Sequence, residues 1–195
     1  MTTQEDLERY LKIKKIDDYI FQYIQYDKDI LQVIKIAHKS QIKHHIIMLM
    51  SPKNNHWVYI YVNRDLVYYY DSYGCIPNMY QLIDDFNIMA FNQLYEKRKI
   101  ILKKFKDNLP KEIKLFYNDY VFQKNVFGIL QGDVNDKPTD TCGEFVVCTA
   151  GFLDKYDPKW MEPDIYILTK FNRFQSMVAN TYDELALWLA KIKID

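Results

Sequence analysis

Two runs of aromatic and β-branched residues, His56-Trp57-Val58-Tyr59-Ile60-Tyr61-Val62 and Leu66-Val67-Tyr68-Tyr69-Tyr70, flank the short polar stretch Asn63-Arg64-Asp65. They constrain the fold more than any other part of the chain. Strand-length runs of such side chains, interrupted by turn-forming residues, predict a β-hairpin. A hairpin doubles the chain back, so Asp71, which closes the second run, is expected near His56, which opens the first. A carboxylate beside an imidazole fixes the orientation of the ring and stabilises its protonated form. The apolar run His45-Ile46-Ile47-Met48-Leu49-Met50, ended by Ser51-Pro52, reads as a buried strand lying beside that of His56.

The second chemical feature is Asp140-Thr141-Cys142-Gly143-Glu144-Phe145. Cys142 follows the polar stretch Asn135 to Thr141 and precedes the apolar run Phe145-Val146-Val147-Cys148-Thr149-Ala150-Gly151-Phe152-Leu153. That pattern predicts a buried helix with Cys142 as its first residue. The partial positive charge of a helix N-terminus favours a thiolate. A thiolate attacks a peptide carbonyl far more readily than a thiol, and at neutral pH it depends on a neighbouring imidazole. Cys142, His56 and Asp71 therefore supply nucleophile, base and orienting carboxylate.

Elsewhere, Thr3 is suited to cap a helix starting near Gln4-Glu5-Asp6, with Leu7, Tyr10, Leu11 and Ile13 on its apolar side. Helix or loop is expected from there to about residue 38. The stretch from Asn78 to Asn108 reads as helical, with Leu82, Ile83, Phe86, Met89, Ala90 and Leu94 spaced for a buried face. Further strands are expected within 113–131, and a last helix from Asn180 or Thr181 through Leu185, Leu187 and Trp188. The 195 residues are 49% hydrophobic and 27% charged, which suits one sizeable core. The expected architecture is an α+β single domain spanning 1–195, with a central, mainly antiparallel sheet and the cysteine helix packed against it.

Composition excludes several classes of function. The 26 basic and 26 acidic residues cancel, so the overall charge selects no polyanionic partner. Cys75, Cys142 and Cys148 are too few and too irregularly spaced for a disulfide framework or a zinc site, and the four histidines lack metal-ligand spacing. No metal or cofactor is expected. With no signal-peptide pattern and no apolar run long enough to span a bilayer, a soluble intracellular protein without a membrane partner is expected.

In order, these motifs resemble the cysteine proteases that group adenovirus maturation protease (adenain) with the SUMO-deconjugating proteases. The shared pattern is His-Trp at a strand start, an acidic residue at the end of the next strand, a glutamine before Cys-Gly, and an apolar helix after it. The resemblance covers about residues 44–155. His56-Trp57, Tyr70-Asp71-Ser72-Tyr73-Gly74, Gln131-Gly132 and Cys142-Gly143 are most similar to the viral branch, which includes proteases of large DNA viruses, virophages and self-synthesising transposons. The resemblance implies an adenain-like fold and cleavage of capsid or core precursors after glycine. It also implies a location in the virion and in the cytoplasm or viral factory of an infected host. His56, Asp71 and Cys142 would be catalytic, and Gln131 would donate to the oxyanion. Trp57 would line a narrow cleft over the scissile bond. Family members usually place the glutamine six or seven positions before the cysteine, whereas Gln131 stands eleven before Cys142. Either the intervening loop carries an insertion or Asn135, seven before, is the donor; Gln131 is favoured because a strand-like run precedes it and Gly132 follows.

Each of these residues also has a plainer reading. Cys148 reads as a small core residue, and Trp57 by default as a core aromatic. A histidine on a strand is commonly structural, and Asp71-Ser72 alone is a turn signal. The run Lys97-Arg98-Lys99-Ile100-Ile101-Leu102-Lys103-Lys104-Phe105-Lys106 holds six cations in ten positions. It reads first as a solvated helix face with Ile100, Ile101, Leu102 and Phe105 partly buried. The other reading is a nucleic-acid contact through Lys97, Arg98, Lys99, Lys103, Lys104 and Lys106, and the DNA cofactor of adenovirus protease gives it weight. Two competing functions stand beside a maturation protease. One is a ubiquitin-like-protein (SUMO-type) deconjugating protease, and the other is a binding module that keeps the fold without the activity.

Overall fold

A computed structural model describes residues 2–52, 55–78, 80, 95–118, 140–155, 186–187 and 189–191. The chain divides into two compact units. One comprises Met1–Asp18 with Tyr120–Asp195, and the other Tyr19–Asp119.

The second unit is built on a five-stranded sheet in the order β1 (Tyr19–Gln25), β2 (His44–Met50), β3 (Asn55–Asn63), β4 (Leu66–Asp71) and β5 (Lys114–Tyr117). β3 and β4 form the expected hairpin, with Asn63 opposite Leu66 across the two-residue connection Arg64-Asp65. Arg64 takes a positive φ of 56° there. β2 lies antiparallel to β3, as its apolar run implies. All six residues of β4 and the first six of β2 are buried, so both faces of these strands are covered. Their side chains accordingly form near-continuous apolar runs rather than alternating ones.

The sheet is mixed, which corrects the expectation of a mainly antiparallel one. β1 pairs parallel to β2 and β5 parallel to β4, so each edge strand is added by a crossover. The first crossover passes through α2 (Ile30–Ser40), whose start is capped by the Asp29 side chain accepting from Leu31 N. β1 replaces the helix or loop expected before residue 38. Its sequence Tyr-Ile-Phe-Gln-Tyr-Ile-Gln is half-buried or exposed throughout and lacks a clean two-residue alternation, as suits an edge strand that buries neither face fully. Within the stretch 78–108, helix α3 spans Tyr95–Asp107. Residues 81–94, which carry the expected apolar face, lie outside the described residues.

In the first unit, Thr3 caps α1 (Gln4–Ile13) in a reciprocal capping box with Asp6, and Leu7, Tyr10 and Leu11 are buried. Helix α4 (Cys142–Lys155) is buried from Cys142 through Leu153, as expected of a helix that is apolar on every side. Ala186, Leu187, Leu189 and Ala190 are helical; the rest of the expected last helix lies outside the described residues. Among the described residues no helix is long and apolar enough to cross a membrane.

α1 meets α4 at Gly143. A β-carbon there would stand 2.9 Å from Leu7 Cδ2 and 2.9 Å from Thr2 Cβ. Leu7 has no exposure and little room to yield. Gly143→Ala is therefore expected to destabilise the protein by about 1–2 kcal/mol, because overpacking outweighs the helix propensity that alanine gains. Urea denaturation measures the loss; a variant as stable as wild type would show that the helices part at no cost.

Candidate active site

The sheet register explains why His56 and Asp71 meet. Asp71 is paired with Val58, and His56 lies two residues before Val58, so all three side chains project from the same face. His56 Nε2 stands 2.8 Å from Asp71 Oδ1, with His56 2% exposed and Asp71 fully buried. A carboxylate accepts only, so Nε2 carries the proton it donates. Nδ1 is then the basic nitrogen of the neutral ring.

A buried charge is tolerated only when it is paired and hydrogen-bonded. Asp71 Oδ1 also accepts from the backbone N–H of Tyr73 at 2.8 Å, and Oδ2 accepts from the Tyr80 hydroxyl at 2.5 Å. The turn after the strand supplies the first of these donors. Gly74 N donates to Asp71 O at 2.8 Å, and Gly74 has a φ of 72°, in the left-handed region where a β-carbon is unfavourable. The imidazole is fixed by its neighbours as well. The Tyr73 ring stacks on it with centroids 4.4 Å apart and planes 12° apart, and the Tyr80 ring meets it edge-on at 6.0 Å.

Asn118 secures the strand end. Tyr117 is the last β5 residue paired with β4, and Asn118 continues the ladder with its side chain. Its Oδ1 accepts from Asp71 N at 2.9 Å and its Nδ2 donates to Asp71 O at 2.5 Å. One amide thus satisfies both main-chain groups of Asp71, as a neighbouring strand would. Tyr73, Tyr80 and Asn118 were not singled out in the sequence. Tyr73 follows Asp71-Ser72, whose residue types signal only a turn, and Tyr80 lies in a stretch whose pattern predicts helix. Asn118 follows a strand, where asparagine ordinarily signals a turn.

Cys142 occupies the first position of α4 and is 3% exposed. Thr141 precedes the helix and its carbonyl accepts from Phe145 N at 3.1 Å. Glu144 is buried in the first turn, where its charge complements the helix dipole, and its Oε2 accepts from the Thr2 hydroxyl at 2.6 Å. Cys148, one turn further on, behaves differently from a nucleophile. Burial pushes its thiol up to about 12, and its Sγ donates to Ala186 O at 3.4 Å. It stays protonated, in keeping with a core residue. Nearby, burial lowers the pKa of Lys14, whose Nζ donates to Leu189 O at 2.7 Å.

The structure therefore brings together His56 and Asp71 within one unit and sets Cys142 at a helix N-terminus in the other. Gln131 and Asn135 lie outside the described residues. Trp57 alternates onto the opposite sheet face from His56. It has no exposure and packs edge-on against Phe21 and Tyr23, with centroids at 5.8 and 6.1 Å. That geometry gives it a packing role; a cleft-lining role is an implication of the resemblance alone. In the basic run on α3, Lys97, Lys99, Lys103, Lys104 and Lys106 are exposed, Arg98 is half-buried and Phe105 is 2% exposed. Among the described residues no cluster of His, Cys, Asp and Glu is disposed to hold a metal ion.

No protein-family model and no curated protein sequence matches the chain. The functional reading therefore rests on the residues and their geometry.

The Tyr80 hydroxyl gives a pH test of this cluster. Burial, then the neighbouring Asp71 charge, raise its pKa well above the ordinary 10, and Tyr69 is raised for the same two reasons. Above pH 10 the unfolded chain releases these protons while the folded one keeps them, so stability present below that pH is lost as pH rises. Tyr80→Phe is expected to make this alkaline loss shallower. At neutral pH it should cost about 1.5–3 kcal/mol, the worth of a hydrogen bond to a charged group. Urea denaturation across the alkaline range checks both effects; an unchanged slope would remove Tyr80 from the account.

Proposed function

We propose that this chain is a thiol-dependent endopeptidase with an adenain-like fold. The observation that carries the reading is the buried His56–Asp71 pair at 2.8 Å, held on adjacent strands with the carboxylate saturated by donors and the ring stacked in place. Asp71, itself held by Tyr73 N and the Tyr80 hydroxyl, fixes one ring nitrogen, so the imidazole is oriented for proton transfer through the other. In this reading His56 Nδ1 takes the proton of Cys142, and the Sγ thiolate attacks the scissile carbonyl. Gln131 and the backbone N–H of Cys142 hold the resulting oxyanion. Collapse of the tetrahedral intermediate breaks the C–N bond as His56 returns its proton to the leaving amine. Water, deprotonated by His56, then hydrolyses the thioester and regenerates the thiol.

The proposed substrate is a viral capsid or core precursor cut after glycine, acted on in the virion or in the infected cell. This choice follows the resemblance of His56-Trp57, Asp71-Ser72-Tyr73-Gly74 and Cys142-Gly143 to the viral branch.

The test is a panel of peptides carrying glycine before the scissile bond, run beside SUMO and ubiquitin conjugates. Wild type should cleave glycine-bearing peptides and leave the conjugates intact. Cys142→Ala and His56→Ala should each abolish turnover with an unchanged melting transition, and Asp71→Asn should lower turnover without abolishing it. Gln131→Ala should reduce it by about 10²–10³, with Asn135→Ala mild. Full activity in Cys142→Ala would end the peptidase reading, and cleavage confined to the conjugates would move the substrate to a folded modifier.

A further inference from the structure

The basic run on α3 contains one residue that neither a solvated face nor a phosphate-binding face requires: Ile100, 69% exposed. It borders a cleft of about 610 Å³ lined by α2 and α3, a size within the range of ligand sites. From α3 the cleft takes Ile100, Ile101, Lys104 and Phe105, and from α2 Leu31 and Lys35. Leu31 and Lys35 are four apart on α2, and Ile100 and Lys104, like Ile101 and Phe105, are four apart on α3, so each helix contributes one stripe. Leu31 and Phe105 are buried and form an apolar floor, whereas Lys35 stands on one wall and Lys104 on the other. Among the described residues no carboxylate pairs with either lysine. Asp29 also lines the cleft, its Oδ1 accepting from Leu31 N and from Asn78 Nδ2, so the two lysines leave the lining with a net charge of one positive.

We propose that this cleft docks an acidic segment of a partner protein. The segment seats an aliphatic or aromatic side chain against Ile100 and Leu31 and sets carboxylates on Lys35 and Lys104. Charge complementarity selects an acidic occupant, and the exposed isoleucine selects a protein over a nucleic acid. Phosphates would engage the lysines and leave Ile100 in water. Base stacking would need an exposed aromatic ring, and Phe105 is 2% exposed. The proposal is independent of the peptidase reading, because it uses no residue of the His56–Asp71 cluster or of α4.

The experiment is selection of a displayed random-peptide library on the full-length protein. Binders are then titrated by fluorescence anisotropy against wild type, Ile100→Ser and the double variant Lys35→Glu, Lys104→Glu; a short DNA duplex is titrated in parallel. Ile100 and Lys104 are exposed and Lys35 is half-buried, so these variants are expected to fold, which circular dichroism verifies. Selected peptides should share an apolar residue flanked by Asp or Glu and should lose about tenfold or more in affinity to each variant, as expected on removing a binding anchor. Selection of basic or uncharged peptides, or of binders indifferent to both variants, would overturn the proposal. So would duplex binding that depends on the lysines but not on Ile100, which would assign the surface to nucleic acid.

Discussion

The buried carboxylate of Asp71 is the constraint on which the geometry of the site depends. A charge with no exposure at the end of a sheet strand is stable only if its oxygens are satisfied by donors in fixed positions. Here a ring N–H, a backbone N–H and a phenol supply them, each from a different part of the unit. The hairpin register delivers His56, the turn closed at Gly74 delivers Tyr73 N, and the segment beyond the turn delivers Tyr80. Because the carboxylate requires all of these neighbours, the chain around it adopts one arrangement, and the imidazole is oriented as a consequence. The hydrogen bonds that stabilise the buried carboxylate also fix the orientation of the ring.

Asn118 extends the argument to the sheet edge. β5 reaches β4 through a parallel crossover, and its pairing stops at Tyr117 opposite Tyr69. Without Asn118, the N–H of Asp71 would be buried with nothing to bond, and its C=O would keep only the bond from Gly74 N. The Asn118 amide takes both. A mixed sheet is therefore more than a departure from the expected antiparallel one: its parallel edge strand brings this clamp to the strand end that carries the carboxylate.

What the sequence made legible follows from how local each signal is. The hairpin and the meeting of His56 with Asp71 are encoded within sixteen consecutive residues, so side-chain type and run length suffice; of the expected turn Asn63-Arg64-Asp65, Asn63 instead ends β3. The start of α4 at Cys142 and the cap at Thr3 are equally local. β1 was missed because an edge strand that buries neither face carries no strong period. Tyr80 and Asn118 were missed because their roles depend on contacts across nine and forty-seven positions, which only the tertiary register defines. The basic run reads as a solvated face with Ile100, Ile101, Leu102 and Phe105 partly buried; Phe105 is buried and Ile101 and Leu102 are half-buried, whereas Ile100 is 69% exposed and borders the cleft that α2 and α3 line.

The central claim is that the imidazole oriented by Asp71 serves the thiol of Cys142. Its most direct measurement uses a short peptide ending in a glycine vinyl ester, with the site of modification mapped by mass spectrometry in wild type and in His56→Ala. The account predicts a single covalent adduct, on Cys142, formed rapidly by wild type and lost or strongly slowed in His56→Ala, with Cys148 unmodified in both. Equal modification of Cys142 in the two proteins would contradict it, because the thiol would then react without the imidazole.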